Sequence, residues 1–546
     1  MNFFLGLFLT VLSFGSPVHI PVELAGNFGE PRPNHFHGGI DVKTNRGVNL
    51  GIYSIADGYV SRAIIQKYGF GYALVIAHPN GYSSVYVHLN RFAPQIEASV
   101  KQWQYKNRKF AADITFNPGQ IPVRKGQFIA LSGNTGSSQA PHLHMELHQT
   151  KTGLLMDPLN VVGHVLKDKT APTIYSFKSY PQRGEGIFQH SQESRVYGFS
   201  KQVFKAWGKI GFGIFAHDNM DSVYNNYGVR YTELYCEGHL IFSSDVNGIP
   251  ANAHPMINTW GDYEHYLHSR IWFLKSFTEP FNKLPILKTD KSRGIVTFNQ
   301  IRDYHLKYIV KDYFGNKSER EFVVRGEPEM IVRQPVQKSS YALIVGHENK
   351  IMFDGVRLEV RDSVLSKNYL LQPKTLNIPN AVSLGYCFSP TPLALLGNAT
   401  IYIKVRNNVK DPSKLFIASR QDLKNGQSIV RYCGGELKDG WLIGKIRDLN
   451  KIYYAYYDNT PPLILSKSLH PHNIAFILSD DGSNIYKYEG YIDGKFVLFT
   501  YGKNKDLISC NLSETPIKPT GAQRLLRIIV TDNRGNSNKF ESRIIY

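Results

Sequence analysis

The stretch "PHLHMELH", Pro141 to His148, decides how we expect the first third of the chain to fold. Polar and apolar residues alternate along it, which is the period-two pattern of a β-strand with one face in a core. Leu143 and Met145 would then point into that core. The opposite face would carry His142, His144, Glu146 and His148.

The residues around this strand also carry β signals. "GIYSIADGYVSRAII" (51–65) has two β-rich runs around Asp57-Gly58, and "ALVIAHPNGYSSVYVHL" (73–89) has two around Asn80-Gly81. Both dipeptides accept positive φ, so each predicts a tight hairpin. We therefore predict a small, mainly antiparallel β domain over residues 16–165.

The bulk composition describes a large folded protein. A chain of 546 residues exceeds one hydrophobic core and suggests about three or four domains. The apolar fraction of 42% excludes a disordered chain. The formal charge of +19 favours either attraction to an anionic polymer or simply a basic surface. Because the basic residues are scattered and form no nucleic-acid motif, we expect no nucleic-acid partner.

The N-terminal residues, "MNFFLGLFLTVLSFGSP", resemble an export signal. The apolar run from Phe3 to Leu12 is too short to span a bilayer, and small residues precede Ser16. We therefore predict a signal peptide over residues 1–15 and an exported protein, periplasmic or extracellular. A first strand or an uncleaved anchor are the alternatives. No later segment reaches 18 apolar residues, so we expect no transmembrane segment in the mature protein.

The four cysteines are far apart in the sequence, which excludes a CxxC zinc site. Cys387 and Cys433 could pair within one domain, but the sequence does not decide it. The other two are Cys236 and Cys510.

Beyond the first domain the chain carries a weak repeat. "TAPTIYSF" (170–177) resembles "TPPLILSK" (460–467), and "VKDYFGNKS" (310–318) resembles "VTDNRGNSN" (530–538). A proline-marked entry, alternating apolar residues and a closing D-x-x-G-N turn predict β-sandwich modules. The predicted modules are residues 166–326 with an insertion, residues 327–459, and an immunoglobulin-like module at residues 460–546.

A second histidine motif lies near the start of the first domain. "RPNHFHGGIDVKT" (32–44) places His37 and Asp41 in an H-x-x-x-D spacing. Gly38 and Gly39 disfavour a helix there by about 1 kcal/mol each. We expect a glycine-rich bend that brings His37 and Asp41 onto one cation.

The third motif is "SVYVHLN", in which we expect His88 to lie on a strand with Tyr86 on the same face. A pair of imidazoles on one strand face, such as His142 and His144, suits zinc, which binds N and O ligands at about 2.0–2.2 Å. On its own, such a pair is as readily an ordinary exposed strand face.

The three motifs together resemble the lysostaphin/LytM-type zinc metallopeptidases, metallopeptidase family 23. The resemblance runs from H-x-x-x-D through Y-x-H-L to "KGQFIALSGNTGSSQAPHLHMEL" (125–147) and covers about residues 20–162. It implies a small antiparallel β fold around a groove and a peptidoglycan endopeptidase. The implied zinc ligands are His37, Asp41 and His144, and the implied catalytic histidines are His142 and His88.

This ligand set agrees with the chemistry of hydrolysis. Three protein ligands leave zinc a fourth position for water, and zinc lowers the pKa of that water toward 7. We expect one Zn²⁺ per chain and two unbound imidazoles that titrate near the working pH. We favour His142 as the base, since it shares a strand face with a ligand, and His88 as the oxyanion stabiliser. The sequence does not fix which is which.

The remaining polar residues have less definite roles. Glu146 is either a hydrogen-bond acceptor that orients His144 or an ordinary strand carboxylate. His35, His78 and His148 are expected to lie outside the chemistry.

Two connecting segments could shape the groove. The small-residue loop "SGNTGSSQ" (132–139) would offer its backbone to an extended peptide, or be a simple turn. Residues 91–121, with one predicted helix at "QIEASVKQW" (95–103), look like an insertion that could wall the groove.

The leading hypothesis is a zinc endopeptidase that cleaves peptide cross-links of peptidoglycan. The alternative is a non-catalytic protein that binds cell wall or activates a partner enzyme such as an amidase. A third hypothesis makes the β-sandwich tail an adhesin or scaffold. The tail could also bind a protein partner.

Overall fold

The computed structural model describes residues 14–221, 223–333, 341–406, 409–423, 425–502 and 505–546. Strands occupy 47% of the residues and helices 9%, which confirms the predicted mainly β class. The predicted signal peptide lies outside the described residues except for its last two positions. No helix of the described ranges is long and apolar enough to span a bilayer. All four cysteines carry free thiols, so Cys387 and Cys433 are not bonded.

The first domain is built from short strands and two α-helices. Its elements are β1 (Leu24–Gly26), β2 (Pro31–Arg32), β3 (His35–Phe36), β4 (Ile40–Lys43), β5 (Gly51–Tyr53), β6 (Gly58–Ile65), β7 (Tyr72–Ala77), β8 (Tyr82–Leu89), β9 (Arg91–Phe92), α1 (Pro94–Asn107), β10 (Ala112–Thr115), β11 (Pro122–Val123), β12 (Phe128–Leu131), β13 (His142–Gln149), β14 (Leu155–Met156), α2 (Leu159–Val162) and a 3₁₀ helix (Gly163–Val165).

Most of these strands form one antiparallel sheet in the order β1-β4-β13-β8-β7-β6-β10, with β11 paired to β6 and β14 paired to β13. A smaller sheet has the order β5-β12-β9. β13 follows the predicted alternation, since Leu143 and Met145 are fully buried in the core. The three neighbouring strands β4, β13 and β8 carry the predicted site on the other face of the larger sheet.

One of the two predicted hairpins is confirmed and the other is wrong. β7 and β8 pair on either side of Asn80-Gly81, where Gly81 has a φ of 82°. At Asp57-Gly58, however, β5 pairs with β12 and β6 pairs with β7, so the chain crosses between sheets. Ile55 and Ala56 are fully buried in this crossing. The free energy gained by burying them outweighs the turn preference of the Asp57-Gly58 dipeptide.

The predicted helix forms as α1, but the segment 91–121 does not wall the site. Ile96 and Val100 of α1 pack into the core on the sheet face opposite the site, and β10 pairs with β6 at the far sheet edge. The ring of Phe110 also lies 5.4 Å from that of Tyr501 in the last module. The segment therefore docks the last module behind the sheet.

The second part of the chain forms one connected sheet in the order β16-β15-β17-β24-β23-β18-β19-β21, with β20 and β22 also paired to β17. Short helices lie between β19 and β20. The elements are β15 (Thr173–Phe188), β16 (Arg195–Gly198), β17 (Val203–His217), β18 (Tyr231–Cys236), β19 (His239–Asp245), a 3₁₀ helix (Ala251–Met256), α3 (Ile257–Trp260), α4 (Tyr263–Ser269), β20 (Leu274–Lys275), β21 (Leu287–Thr289), β22 (Val296–Phe298), β23 (Asp303–Lys311) and β24 (Lys317–Gly326).

This module packs directly against the first domain. Phe36, next to the H-x-x-x-D motif, lies in an apolar cluster with Trp260 and Ile249 of the module. Arg230 forms a buried ion pair with Asp157 at 2.6 Å. The interface therefore contains both apolar packing and paired charge, close to the predicted site.

The remaining residues form two further pairs of sheets. Residues 349–457 form β26-β27-β31-β35-β34 and β29-β30-β36-β32-β33, and residues 463–545 form β37-β38-β42-β41 and β40-β39-β43-β44. Each pair encloses its own core, as expected for sandwiches, while the predicted module boundaries stay predictions. The elements are β25 (Ala342–Leu343), β26 (Asn349–Phe353), β27 (Val356–Val360), a 3₁₀ helix (Asp362–Val364), β28 (Tyr369–Leu370), β29 (Lys374–Leu376), β30 (Gly385–Cys387), β31 (Ala399–Lys404), a 3₁₀ helix (Pro412–Lys414), β32 (Leu415–Asp422), β33 (Ser428–Tyr432), β34 (Glu436–Lys438), β35 (Trp441–Ile446), β36 (Ile452–Tyr457), β37 (Leu463–His470), β38 (Asn473–Ser479), β39 (Ile485–Ile492), β40 (Lys495–Val497), β41 (Thr500–Tyr501), β42 (Leu507–Cys510), a 3₁₀ helix (Leu512–Glu514), β43 (Gln523–Asp532) and β44 (Ser537–Ile545).

Candidate active site

The three residues that the sequence named as metal ligands meet in space. The Nε2 atom of His37 lies 3.0 Å from Oδ1 of Asp41 and 3.0 Å from Nδ1 of His144. Oδ1 of Asp41 and Nδ1 of His144 are 2.8 Å apart. All three residues are at least nine-tenths buried. Two nitrogens and one oxygen thus form a compact triangle.

The strand register explains this convergence. Asp41 on β4 is the direct partner of His144 on β13, and residues opposite each other in a sheet share a face. His37 reaches the same point from the bend before β4. At Gly39 a Cβ would lie 2.2 Å from the carbonyl oxygen of Met145, so only glycine allows this approach. The predicted bend between His37 and Asp41 is confirmed.

Each histidine of the triangle has its other ring nitrogen occupied. Nδ1 of His37 donates to the carbonyl oxygen of Asn27 at 2.6 Å, and Nε2 of His144 donates to Oε1 of Glu146 at 3.1 Å. When each ring is neutral, its inward-facing nitrogen is therefore the unprotonated one. Lone pairs of two imidazoles and a carboxylate would then converge, and this donor set suits zinc.

The second oxygen of Asp41 is held by Arg32, whose guanidinium donates to Oδ2 at 3.1 Å. Burial acts to raise the pKa of Asp41, but the neighbouring His37, His142 and His144 hold it well below its usual range. Asp41 therefore stays ionised and presents Oδ1 to the triangle. The sequence reasoning did not single out Arg32, although it lies in the quoted H-x-x-x-D stretch.

Glu146 links two histidines behind the triangle. Oε1 contacts His144, and Oε2 accepts from Nε2 of His148 at 2.7 Å. Burial acts to raise the pKa of Glu146, but these two histidines hold it well below its usual range. His148 lies outside the triangle, as expected, and contacts the carboxylate that accepts from His144.

The two other histidines expected outside the chemistry do lie outside the triangle. Exposed His35 contacts the carbonyl oxygen of Pro33, and His78 contacts the carbonyl of Asp57 and the hydroxyl of Ser84. Neither ring contacts a predicted ligand.

His142 and His88 lie beside the triangle with ring centroids 4.9 Å apart. Nδ1 of His88 donates to the carbonyl oxygen of Thr135 at 2.9 Å, and Nδ1 of His142 donates to that of Ala140 at 2.8 Å. A carbonyl oxygen can only accept, so Nδ1 carries the proton in both rings. Each neutral ring therefore presents a lone pair at Nε2, and Nε2 of His142 is 3.4 Å from Oδ1 of Asp41.

His88 reaches the site through a β-bulge. The pairing of β7 with β8 shifts between Tyr72↔Leu89 and Leu74↔Tyr86, and His88 has a φ of 62°. Tyr86 points into the core, whereas the ring of His88 turns to the opposite, site-bearing face. The prediction that His88 and Tyr86 share a face is therefore wrong, because the extra residue of a bulge redirects a side chain.

The environment separates the histidines by their proton affinity. Burial, followed by neighbouring His142 and His144, lowers the pKa of His88 to about 3, and burial lowers that of His37 to about 4. Burial would also lower the pKa of His144, but hydrogen bonds to Asp41 and Glu146 raise it to about 9. The expectation that His88 titrates near the working pH is therefore wrong.

The loop 132–139 supports the site with its backbone. At Gly136 a Cβ would lie 2.3 Å from the carbonyl oxygen of Gly69, so the loop packs closely on the 69–71 turn. The hydroxyl of Thr135 accepts from the backbone N–H of Tyr72 at 3.0 Å. These contacts fix the part of the loop whose Thr135 carbonyl holds His88. Contact between this loop and a substrate peptide stays a prediction.

Comparison with known families gives two matches. Residues 35–105 match the model described as Peptidase family M23. This range holds His37, Asp41 and His88, whereas His142 and His144 follow it. Residues 340–458 match a model described as a Zu5-like domain.

Curated relatives resemble the same part of the chain. It is 34% identical over 133 residues to an uncharacterized metalloprotease of Haemophilus influenzae, covering 24% of this chain and 22% of that protein. It is 33% identical over 112 residues to the peptidoglycan DD-endopeptidase ShyB of Vibrio cholerae, covering 20% of each. The DD-carboxypeptidase/endopeptidase Mpg of Neisseria meningitidis is 31% identical over 110 residues, covering 20% of this chain and 19% of that protein. The chain thus spans about a fifth of the length of the curated relatives it matches.

Solved structures resemble the same region more distantly. The catalytic domain of lysostaphin from Staphylococcus simulans is 20% identical and covers 26% of this chain and 92% of that chain, with a TM-score of 0.20. A zinc-containing peptidase from Vibrio cholerae is 28% identical and covers 25% of this chain and 36% of that chain, with a TM-score of 0.19. The sequence matches and the site geometry, and not these structures, are therefore the basis for proposing a function.

Proposed function

We propose that the chain, whose residues 35–105 lie in a peptidase family M23 domain, is a zinc-dependent endopeptidase that hydrolyses peptide cross-links of bacterial peptidoglycan. The observation that carries this proposal is the triangle of His37, Asp41 and His144 with two unprotonated Nε2 atoms beside it. The name of the Vibrio cholerae relative, a peptidoglycan DD-endopeptidase, supports the substrate class.

The triangle would hold one zinc ion through Nε2 of His37, Oδ1 of Asp41 and Nδ1 of His144. When bound, zinc polarises a carbonyl group and lowers the pKa of a water molecule toward 7. Arg32, Asn27 and Glu146 occupy the outward atoms of these side chains, so each donor is held in one orientation.

His142 is the proposed general base. Its Nδ1–H is held by the carbonyl oxygen of Ala140, which leaves the Nε2 lone pair to take a proton from the attacking water. The same nitrogen, once protonated, returns that proton to the leaving amine. A fixed ring supplies both steps without reorienting.

His88 has a different proposed role from the one expected. Its Nδ1–H is held by Thr135, and its low pKa keeps the ring neutral, so Nε2 offers a lone pair rather than a proton. A neutral ring of this tautomer cannot donate to an oxyanion. We assign His88 to orienting the attacking water by accepting one of its hydrogens.

The proposed location is outside the cytoplasm, in the periplasm or the extracellular space, where peptidoglycan is accessible. A surface cavity of about 580 Å³ adjoins the site at Ala140 and Pro141 and is lined in part by Arg46 and by Lys43, which pairs with Glu23 at 3.5 Å. The guanidinium of Arg46 would attract carboxylates of a wall peptide.

Digestion of defined cross-linked muropeptides by the full chain, followed by mass analysis of the products, tests the proposal. We expect cleavage with zinc present and cleavage reduced by about 10²–10⁴ in His142→Ala. Intact substrate under zinc-replete conditions would contradict hydrolysis. If the protein also retained muropeptides on a column, that result would favour the wall-binding alternative.

A further inference from the structure

Outside the catalytic site, three aspartates meet at one end of the first module. Asp168, Asp218 and Asp312 each place one carboxylate oxygen within 4.8 Å of the others. Their exposed fractions are 8%, 6% and 1%. No basic side chain of the described residues forms an ion pair with any of them. Buried charges without a counterion are costly, and proteins pair them or bind metals with them.

Two oxygens of this first cluster have no partner. Oδ2 of Asp168 and Oδ1 of Asp218 accept no hydrogen bond from the described residues. Both residues are more than nine-tenths buried. The other oxygen of Asp168 is used, since it accepts backbone N–H groups of Thr170 at 3.0 Å and Asp221 at 3.3 Å. The free oxygens therefore remain for a ligand, because buried polar atoms are rarely unsatisfied.

The same arrangement recurs in the last module as a second cluster. Asp458, Asp480 and Asp532 also place one oxygen each within 4.8 Å of the others. Asp458 matches Asp168, because its Oδ1 accepts the backbone N–H two residues later at 3.1 Å. Oδ2 of Asp458 also accepts the backbone N–H of Ser483, three residues after Asp480, at 2.9 Å.

The D-x-x-G-N turns complete the correspondence. In the first turn Asn316 donates through Nδ2 to Asp312 at 2.7 Å and to the carbonyl oxygen of Asp168 at 3.1 Å. In the second turn Asn536 donates through Nδ2 to Asp532 at 2.7 Å and to the carbonyl oxygen of Asp458 at 3.0 Å. The weak sequence repeat is therefore a repeat of one carboxylate-bearing framework.

We propose that the first cluster binds Ca²⁺. All the available donors are oxygens, which favours a hard cation over zinc. Oxygens within 4.8 Å of one another can surround one ion with Ca–O distances of about 2.3–2.6 Å, and main-chain carbonyls and waters can complete its shell.

The second cluster lacks the unpartnered oxygens of the first, since both oxygens of Asp458 accept backbone N–H groups. Near the second cluster, Nζ of Lys414 donates to Oδ1 of Asn536 at 2.7 Å, which places a positive charge beside the site. Asp480 is also only partly buried, whereas Asp218 is buried. A cation would therefore supply missing interactions in the first cluster but not in the second.

The first cluster lies at the junction with the peptidase domain. Asp168 ends the segment that leaves that domain. Asp218 precedes the loop in which Tyr227 donates through its hydroxyl to the carbonyl oxygen of Leu24 at 2.8 Å. Calcium would hold these two segments together and so fix the module against β1.

Titration of CaCl₂ into the calcium-depleted, zinc-loaded full chain, followed by calorimetry, tests this inference. We expect one calcium ion per chain and a higher Tm with calcium, since the ion binds the folded state. Asp218→Asn should remove this binding event, whereas Asp480→Asn, in the second cluster, should keep it. Asp362→Asn, at an exposed aspartate outside both clusters, should also keep it. Zinc content should stay unchanged in all three variants.

The wild-type protein alone is sufficient to overturn the proposal. No heat from calcium and no change in Tm would reject it, whether or not the variants fold. Burial, with Asp312 and Asp168 nearby, raises the pKa of Asp218 to about 8. A Tm that depends on pH but not on calcium would therefore assign the first cluster to a bound proton instead.

Discussion

Asn27 orients His37 through its main chain, with its carbonyl oxygen accepting the Nδ1–H of His37 at 2.6 Å. The side chain of Asn27 binds Gly228 of the next module through two hydrogen bonds of 2.6 and 3.0 Å. The orientation of a proposed zinc ligand therefore depends on how the module docks.

Asn27→Ala should weaken both docking and zinc binding. It leaves the backbone groups of Gly228 without partners, which should cost about 1–3 kcal/mol of unfolding free energy. Because His37 loses a fixed support, we expect a zinc Kd about tenfold higher. Thermal unfolding and competition with a zinc chelator measure the two effects.

Asn258→Ala is the matched control, since it removes two hydrogen bonds to Asn34 at the same interface without contacting a proposed ligand. It should lower stability and leave the zinc Kd unchanged. Equal zinc loss in both variants would contradict the specific role of Asn27.

His37→Ala should remove the bound metal. We expect about one zinc per chain in the wild-type protein and little in the variant, because two remaining ligands bind zinc weakly. His35→Ala, two residues away and exposed, should keep full zinc. Metal analysis of the purified proteins measures their zinc content. Full zinc in His37→Ala would refute the assignment of His37 as a ligand.

His142→Ala should reduce the turnover of muropeptides by about 10²–10⁴ while zinc stays bound, since a general base supplies that much. His88→Ala should also keep zinc but cause a smaller loss, because another hydrogen-bond acceptor can orient water. Unchanged turnover in His142→Ala would remove it from the mechanism.

Glu146→Gln should raise the zinc Kd about 10–100-fold, since it replaces a charged acceptor of His144 with a neutral one. His148→Ala leaves that carboxylate in contact with His144 and should have a smaller effect on zinc. If the order of the two effects were reversed, His148 and not Glu146 would be the main support.

The sequence predicted the site more closely than its surroundings, for physical reasons. Burial of Leu143 and Met145 fixes the register of β13, so alternation correctly placed His144. The side of β8 on which His88 lies depends on a bulge, and no residue type in "SVYVHLN" indicates an extra unpaired position. A strand pattern alone therefore assigned His88 to the wrong face.

The contacts between domains were outside the reach of sequence patterns. Asn27 and Gly228 are 201 positions apart, and Asp157 and Arg230 are 73 apart. Neither pair belongs to a local period, and each depends on how two completed cores dock. The hairpin predicted at Asp57-Gly58 was wrong for a related reason, since long-range strand pairing outweighed the turn preference of that dipeptide.

Both imidazoles beside the triangle are anchored to main-chain oxygens of one short peptide, at Thr135 and Ala140. Main-chain anchors survive the exchange of side chains, so this peptide can vary in composition while the two rings stay in place. A change in its length would move both anchors and misplace both rings in a single step. The spacing of the catalytic pair is thus encoded in the number of residues in a loop more than in their identity.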